Sequence, residues 1–193
     1  MATNSTTSPL RLVETAIASH RLTSMNWRGK GIGVLRIVFG MVWAIDAWFK
    51  WQPDFQNNFV SFLTGALDGQ PAPAHAWINF WIHVVQVNPH LFAQLSALGE
   101  TAVAIGLIFG IFSNVTNSVG TLMALLIWST AEGFGGPYNC GTTDIGTAII
   151  YAIIFVVLFL TSSGLFLGID QLLTPRLGRW SFLAAGSIRR STK

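Results

Sequence analysis

Long apolar runs dominate the chain, and polar residues fall mostly between them. A helix needs about 20 predominantly apolar residues to cross a bilayer. Stretches of that kind run from about Ile32 to Trp51, Leu91 to Phe112, Val115 to Gly133 and Asp144 to Ile169. The second and third are joined by SNVTNS, which leaves room only for a tight turn, and Gly135, Gly136 and Pro137 break the chain before the fourth. Between the first and second runs, Phe55, Phe59, Phe62 and Leu63 repeat at helical spacing, as do Trp77, Ile78, Trp81, Ile82 and Val85. This pattern predicts two short amphipathic helices on the membrane surface, separated by GQPAPA. The expected fold class is all-α: a four-transmembrane-helix bundle with short interfacial helices in the first extracytoplasmic loop. Residues 1–30 form a cytoplasmic N-terminal segment, 31–175 the membrane domain and 176–193 a basic cytoplasmic tail.

Composition strengthens the membrane reading. Charged residues make up 10% of the 193, against about 25% in ordinary soluble domains. Arg11, Arg21, Arg28 and Lys30 precede the first run, and Arg176, Arg179, Arg189, Arg190 and Lys193 follow the last. No Lys or Arg occurs from Trp51 to Thr174. The positive-inside rule therefore puts both termini in the cytoplasm and Gln52–His90 outside, in a plasma (inner) membrane. Trp48, Trp51, Trp77 and Trp81 fit an outer aromatic belt, and Trp27 and Trp180 an inner one. The separated basic tails suit anionic lipid headgroups rather than nucleic acid. The N-terminal segment has no signal-peptide pattern. Its Leu10, Leu12, Val13, Ala16 and Ile17 read equally as a surface helix or an unstructured tail.

Charges inside the apolar runs carry the candidate chemistry. Arg36 lies about one turn inside the inner boundary, where it can snorkel to the headgroups. Asp46 and Lys50 are four apart on one helix and can pair. Glu100 follows Leu91 by nine residues, a depth of roughly 13–14 Å at 1.5 Å per residue. Glu132 closes the third run and Asp144 opens the fourth. The topology gathers Asp46, Lys50, Glu132 and Asp144 in the outer half, with Glu100 reaching toward them. Burial disfavours the charged form of a carboxyl, so Glu100 is expected to hold a proton at neutral pH, with hydroxyls or amides as partners. Asp144 alone reads best as a helix cap.

Other features read more plainly. Gly106/Gly110 and Gly164/Gly168 are GxxxG steps that favour close packing within the bundle over a dimer contact. The alternation Gly29, Gly31, Gly33 lacks the spacing of a nucleotide loop. His75, His83 and His90 lie in the outer segment without the i, i+4 spacing of many helical metal sites, and no metal site is expected there. Cys140 is the single cysteine, which excludes an internal disulfide and a CxxC site.

Several stretches resemble the DoxX family: an Arg near the start of the first span, LGETAVAIGLIFGIFSNVTNSVGTLMALL across the second and third, and GIDQLL after the fourth. More specifically, AEGFGGPYNCGTTDIGTAIIYAIIF resembles the DoxD-type small subunit of thiosulfate:quinone oxidoreductase. The resemblance runs from about Gly31 to Arg176. It implies a membrane subunit that helps pass electrons from a sulfur compound such as thiosulfate to quinone. Glu100, Asp46, Lys50, Glu132 and Asp144 are then the catalytic candidates. Arg36, Trp48 and Trp128 are the candidates for contact with a quinone arriving sideways from lipid. The chain shows no haem ligand pair, flavin motif or cluster cysteines. The chemistry would need a second redox subunit or a direct reaction of substrate with quinone. A non-catalytic subunit of a larger complex, or a small proton-coupled carrier, alone or as a homo-oligomer, are the competing readings.

Overall fold

The computed structural model describes residues 9–140 and 142–185, and among these all regular structure is helical. The first helix, α1, is continuous from Pro9 to Lys50, so the first apolar run extends an N-terminal helix rather than following a separate one. The side chains from Leu10 to Ile17 expected on a surface helix lie outside the described ones, as do Arg189, Arg190 and Lys193.

The segment between the first two apolar runs folds as three short helices where two were expected, α2 (Pro53–Asn57), α3 (Phe59–Gly65) and α4 (Ala72–Gln86). The chain breaks at Asn58 as well as at residues 69–71. Their apolar sides meet in a small core of Leu63, Ile78, Ile82 and Val85, with Phe59, Trp81 and Phe92 against it. The Phe and Trp periodicity in the sequence corresponds to this packing. Helix α5 (Pro89–Phe109) starts on a capping Asn88, whose side chain accepts from Leu91 N at 3.1 Å, with Pro89 in the first turn. It ends at Gly110, which takes a left-handed φ of 61°. Helix α6 (Ser113–Ser129) follows directly.

The fourth apolar run differs from expectation. Helix α7 covers only Thr147–Leu160, much less than Asp144–Ile169. Gly146, at φ 92°, delays its start. Ser162 in a left-handed conformation stops it, and the chain tightens into a 3-10 turn at Ser163–Leu165. Apolarity continues through Ile169, but the Ser162–Ser163–Gly164 break ends the helix. A short helix, α8 (Asp170–Leu173), and a 3-10 turn over Gly178–Leu183 then fold back on the bundle.

Helix α1 packs most extensively on α5, and α6 on α7. The shared core is Phe39, Trp43, Val103, Leu107, Phe155 and Leu158, with Tyr151 at its edge. Its aromatic centre is tight: Phe155 lies 4.9 Å from Phe39 and 5.0 Å from Trp43, ring centre to ring centre. Gly120 gives the Phe155 ring its space, because any side chain there would overlap it. The GxxxG glycines likewise serve contacts within the chain. Gly106 faces Thr116, and Gly110 faces the Arg36 guanidinium and Gly168. The opposite faces are apolar and bare, as at Val38, Ile45, Leu98, Leu122, Ile153 and Leu160. Two helical stretches, Trp27–Lys50 and Pro89–Phe109, are long and apolar enough to cross a membrane.

Candidate functional site

Two polar clusters lie at opposite ends of the bundle, with the aromatic core between them. The cluster at the Lys50 end, named outer after the expected topology as the Arg36 end is named inner, is built on α1 and α5. Asp46 and Lys50, one turn apart on α1, pair at 3.1 Å. The same ammonium lies 3.7 Å from Oε2 of Glu100, which is completely buried on α5. Ser96, one turn before Glu100, donates to Oε1 over 3.5 Å. These are long contacts, and Oε2 has no hydrogen-bond partner. The expectation of a Glu100 met only by hydroxyls or amides is corrected here, because an ammonium sits beside it. Helix α1 places Lys50 at its last turn, where the side chain meets the middle of α5, and Trp51 donates to Thr101 there at 3.0 Å. Lys50 also stands 5.3 Å from the centre of the Phe55 ring.

Glu132 belongs to the same end but has a different task. Both its oxygens accept from Ala148 N, at 3.2 and 3.0 Å, so it caps the start of α7 from the end of α6. A carboxylate is favourable at that helix N-terminus. Gly146 fits against it because a side chain there would overlap the Glu132 carboxylate. The cap expected of Asp144 is therefore supplied by Glu132. Asp144 is exposed, accepts from Ile145 N at 2.6 Å and is not brought to the cluster. Tyr151 on α7 packs edge-on against Phe39 and Trp43, each 5.6 Å ring centre to ring centre, in the aromatic layer next to the group.

The quinone-contact candidates separate. Trp48 is 66% exposed and makes none of the contacts that join Asp46, Lys50, Glu100 and Ser96, so it is not brought into the cluster. Trp128 donates to Ile145 O at 2.7 Å and stacks edge-on with Phe134, so it fastens the outer loop. Arg36 does not snorkel. It is fully buried and donates to Ser163 O at 3.2 Å and Leu167 O at 3.0 Å. It holds the inner end of the bundle, far from Glu100.

Asp170 is a residue that the sequence reading missed. It is fully buried, and its oxygens accept from Phe112 N at 2.8 Å, Ser113 N at 2.9 Å and Ala185 N at 2.8 Å. It caps α6 and ties the returning chain to the α5–α6 turn. The available signal was local: GIDQLL puts an acid at the end of the last apolar run, though its three partners lie 15 to 58 residues away.

A cavity of about 350 Å³ adjoins the outer cluster. Phe55, Phe59, Phe62, Trp81, Phe92 and Met123 are among its walls, and Ser96 and Gly99 bring it to the Glu100 turn of α5. Such a lining suits a flat apolar group with one or two polar atoms. The three outer histidines do not share a helix, since α4 ends at Gln86 and α5 begins at Pro89. His83 bonds Asn79 O at 2.7 Å, and His75 the Asn79 side chain at 3.2 Å. Comparison of the chain with models of known protein families, with curated proteins and with solved structures finds no match in any of the three.

Proposed function

We propose that the chain is a four-span membrane protein, with both termini cytoplasmic, that binds quinone at its outer end as part of a sulfur-compound oxidising system. The observation that carries this reading is a buried, under-bonded Glu100 facing Lys50 beside an apolar aromatic cavity. Support for four spans comes from the bare apolar faces on all of α1, α5, α6 and α7. Helix α7 has 14 residues, about 21 Å at 1.5 Å per residue. Local thinning of the bilayer and the flanking turns accommodate the difference.

In this reading a quinone ring slides from lipid into the cavity between α3, α4, α5 and α6. Its reduction takes up protons as well as electrons. The Lys50–Glu100 pair supplies a proton source in a dry site, where such charges act strongly. The electron donor, a thiosulfate-like compound, and a second redox subunit follow from the DoxX resemblance, which rests on the residues quoted above. Purification in native lipid followed by extraction tests the proposal. Near-stoichiometric quinone, with a redox partner, is the expected result. Stoichiometric partners with no quinone would replace it with the non-catalytic subunit. A quinone-free homo-oligomer would replace it with the carrier.

A further inference from the structure

The outer cluster has a direction built into it. Side-chain exposure falls from 35% at Asp46 to 18% at Lys50 and 0% at Glu100. Ser96 then carries the series on, since it bonds Glu100 and also lines the apolar cavity. Toward the inner side the route stops. Trp43, seven residues before Lys50 on α1, is fully buried among Phe39, Tyr151 and Phe155. Below Glu100 on α5 come Val103, Ala104 and Leu107, all buried and apolar.

We propose that Asp46, Lys50, Glu100 and Ser96 form a proton relay that connects the outer water to the cavity and is closed to the inner side by the aromatic layer. This rests on the outer-site reading above but not on the identity of the ligand. The Lys50 ammonium gives a proton to the Glu100 carboxylate, and the resulting amine regains one from outer water held at Asp46. Glu100 passes its proton to the Ser96 oxygen as the Ser96 hydroxyl gives its own to an oxygen of the ligand. In sum, one proton leaves the outer water and one arrives on the ligand. Groups that face the relay are few. Helix α6 brings no titratable side chain, α7 brings only Tyr151, and Glu132 is engaged at the start of α7. Helix α2 carries Asp54, which accepts from the Asn58 side chain, while Gln56 donates to Lys50 O at 2.7 Å. Helix α4 carries His75 and His83, both on the outer surface.

The test is infrared difference spectroscopy on carbon-13 glutamate-labelled protein in proteoliposomes of uniform orientation. Glu14, Glu100 and Glu132 are the glutamates of the chain, so subtraction of a Glu100→Gln spectrum identifies the Glu100 band. The outer and inner pH are varied separately over about pH 5–9, a range that spans perturbed carboxyls. The band is expected to respond to the outer pH alone. Its exchange on adding heavy water outside should slow at least tenfold in Lys50→Arg, which keeps the charge but cannot give up its proton. A band that follows the inner pH would overturn the relay. So would a carboxylate unchanged at every outer pH, or unslowed exchange in Lys50→Arg. Because no quinone is added, failure of quinone binding with an outer-responsive Glu100 would reject the quinone reading and leave the relay standing.

Discussion

Two buried carboxylates, Asp170 and Glu100, occupy opposite ends of the same bundle and are treated in opposite ways. Asp170 accepts three backbone N–H bonds of 2.8–2.9 Å. Glu100 has a hydroxyl at 3.5 Å, an ammonium at 3.7 Å and one oxygen with no hydrogen bond. Full bonding to fixed backbone donors makes a carboxylate part of the scaffold. Loose contact with mobile side chains leaves one able to change its partner. The inner end is built to hold α1, the α5–α6 turn and the returning chain together. The outer end keeps a titratable carboxyl group beside a cavity.

Removing the scaffold carboxylate should have the largest effect. Asp170→Ala leaves three backbone N–H groups without their acceptor, two of them buried, so we expect a loss of about 3 kcal/mol or more. Thermal unfolding in detergent, or failure to obtain monodisperse protein, would show it. Glu100→Gln tests the other side of the comparison. The fold should persist within about 1 kcal/mol, while quinone-linked turnover falls on the order of 10²-fold, as for loss of a general acid. A large unfolding shift in Glu100→Gln would make it a scaffold residue like Asp170.

Smaller effects sharpen the contrast. Asp46→Asn should lower stability by less than about 1 kcal/mol, because the pair with Lys50 is partly exposed. It should still exceed Asp68→Asn, which loses no ion pair, when the two are unfolded side by side. Asp144→Ala should change stability by no more than about 0.5 kcal/mol, since its side chain is exposed and bonds only its neighbour's N–H.

Much of the outer end was legible in the sequence. A mid-span acid is unusual enough to mark Glu100, and the i, i+4 spacing marks the Asp46–Lys50 pair. The contact of Lys50 with Glu100 was not, because it depends on the register that sets the end of α1 against the middle of α5. Glu132 and Asp144 flank the same glycine-rich loop, and chain proximity favoured Asp144 as the cap. The turn at Gly146 instead sends the chain back toward Glu132, a backbone effect that hydropathy does not register. Arg36 was visible as a charge within a span, but its carbonyl partners lie 127 and 131 residues away. Long separations of that kind also hid Asp170. The short helices between the first two runs were readable in part: Leu63, Ile78, Ile82 and Val85 of the expected faces are buried, but Phe62 and Trp77 are exposed and a third helix forms. The early end of α7 was hidden because apolarity runs past it.

The claim that the outer end is a ligand site is tested most directly by titrating a short-chain quinone against intrinsic tryptophan fluorescence, with Trp81 in the cavity wall as reporter. Gly99 lines the same cavity and faces only the flexible end of Met123, so Gly99→Leu fills the space without displacing backbone. Saturable quenching is expected in the native chain and in Asp144→Ala, with at least tenfold weaker binding in Gly99→Leu at an unchanged unfolding midpoint. Quenching that never saturates, or that is identical in Gly99→Leu, would contradict the claim.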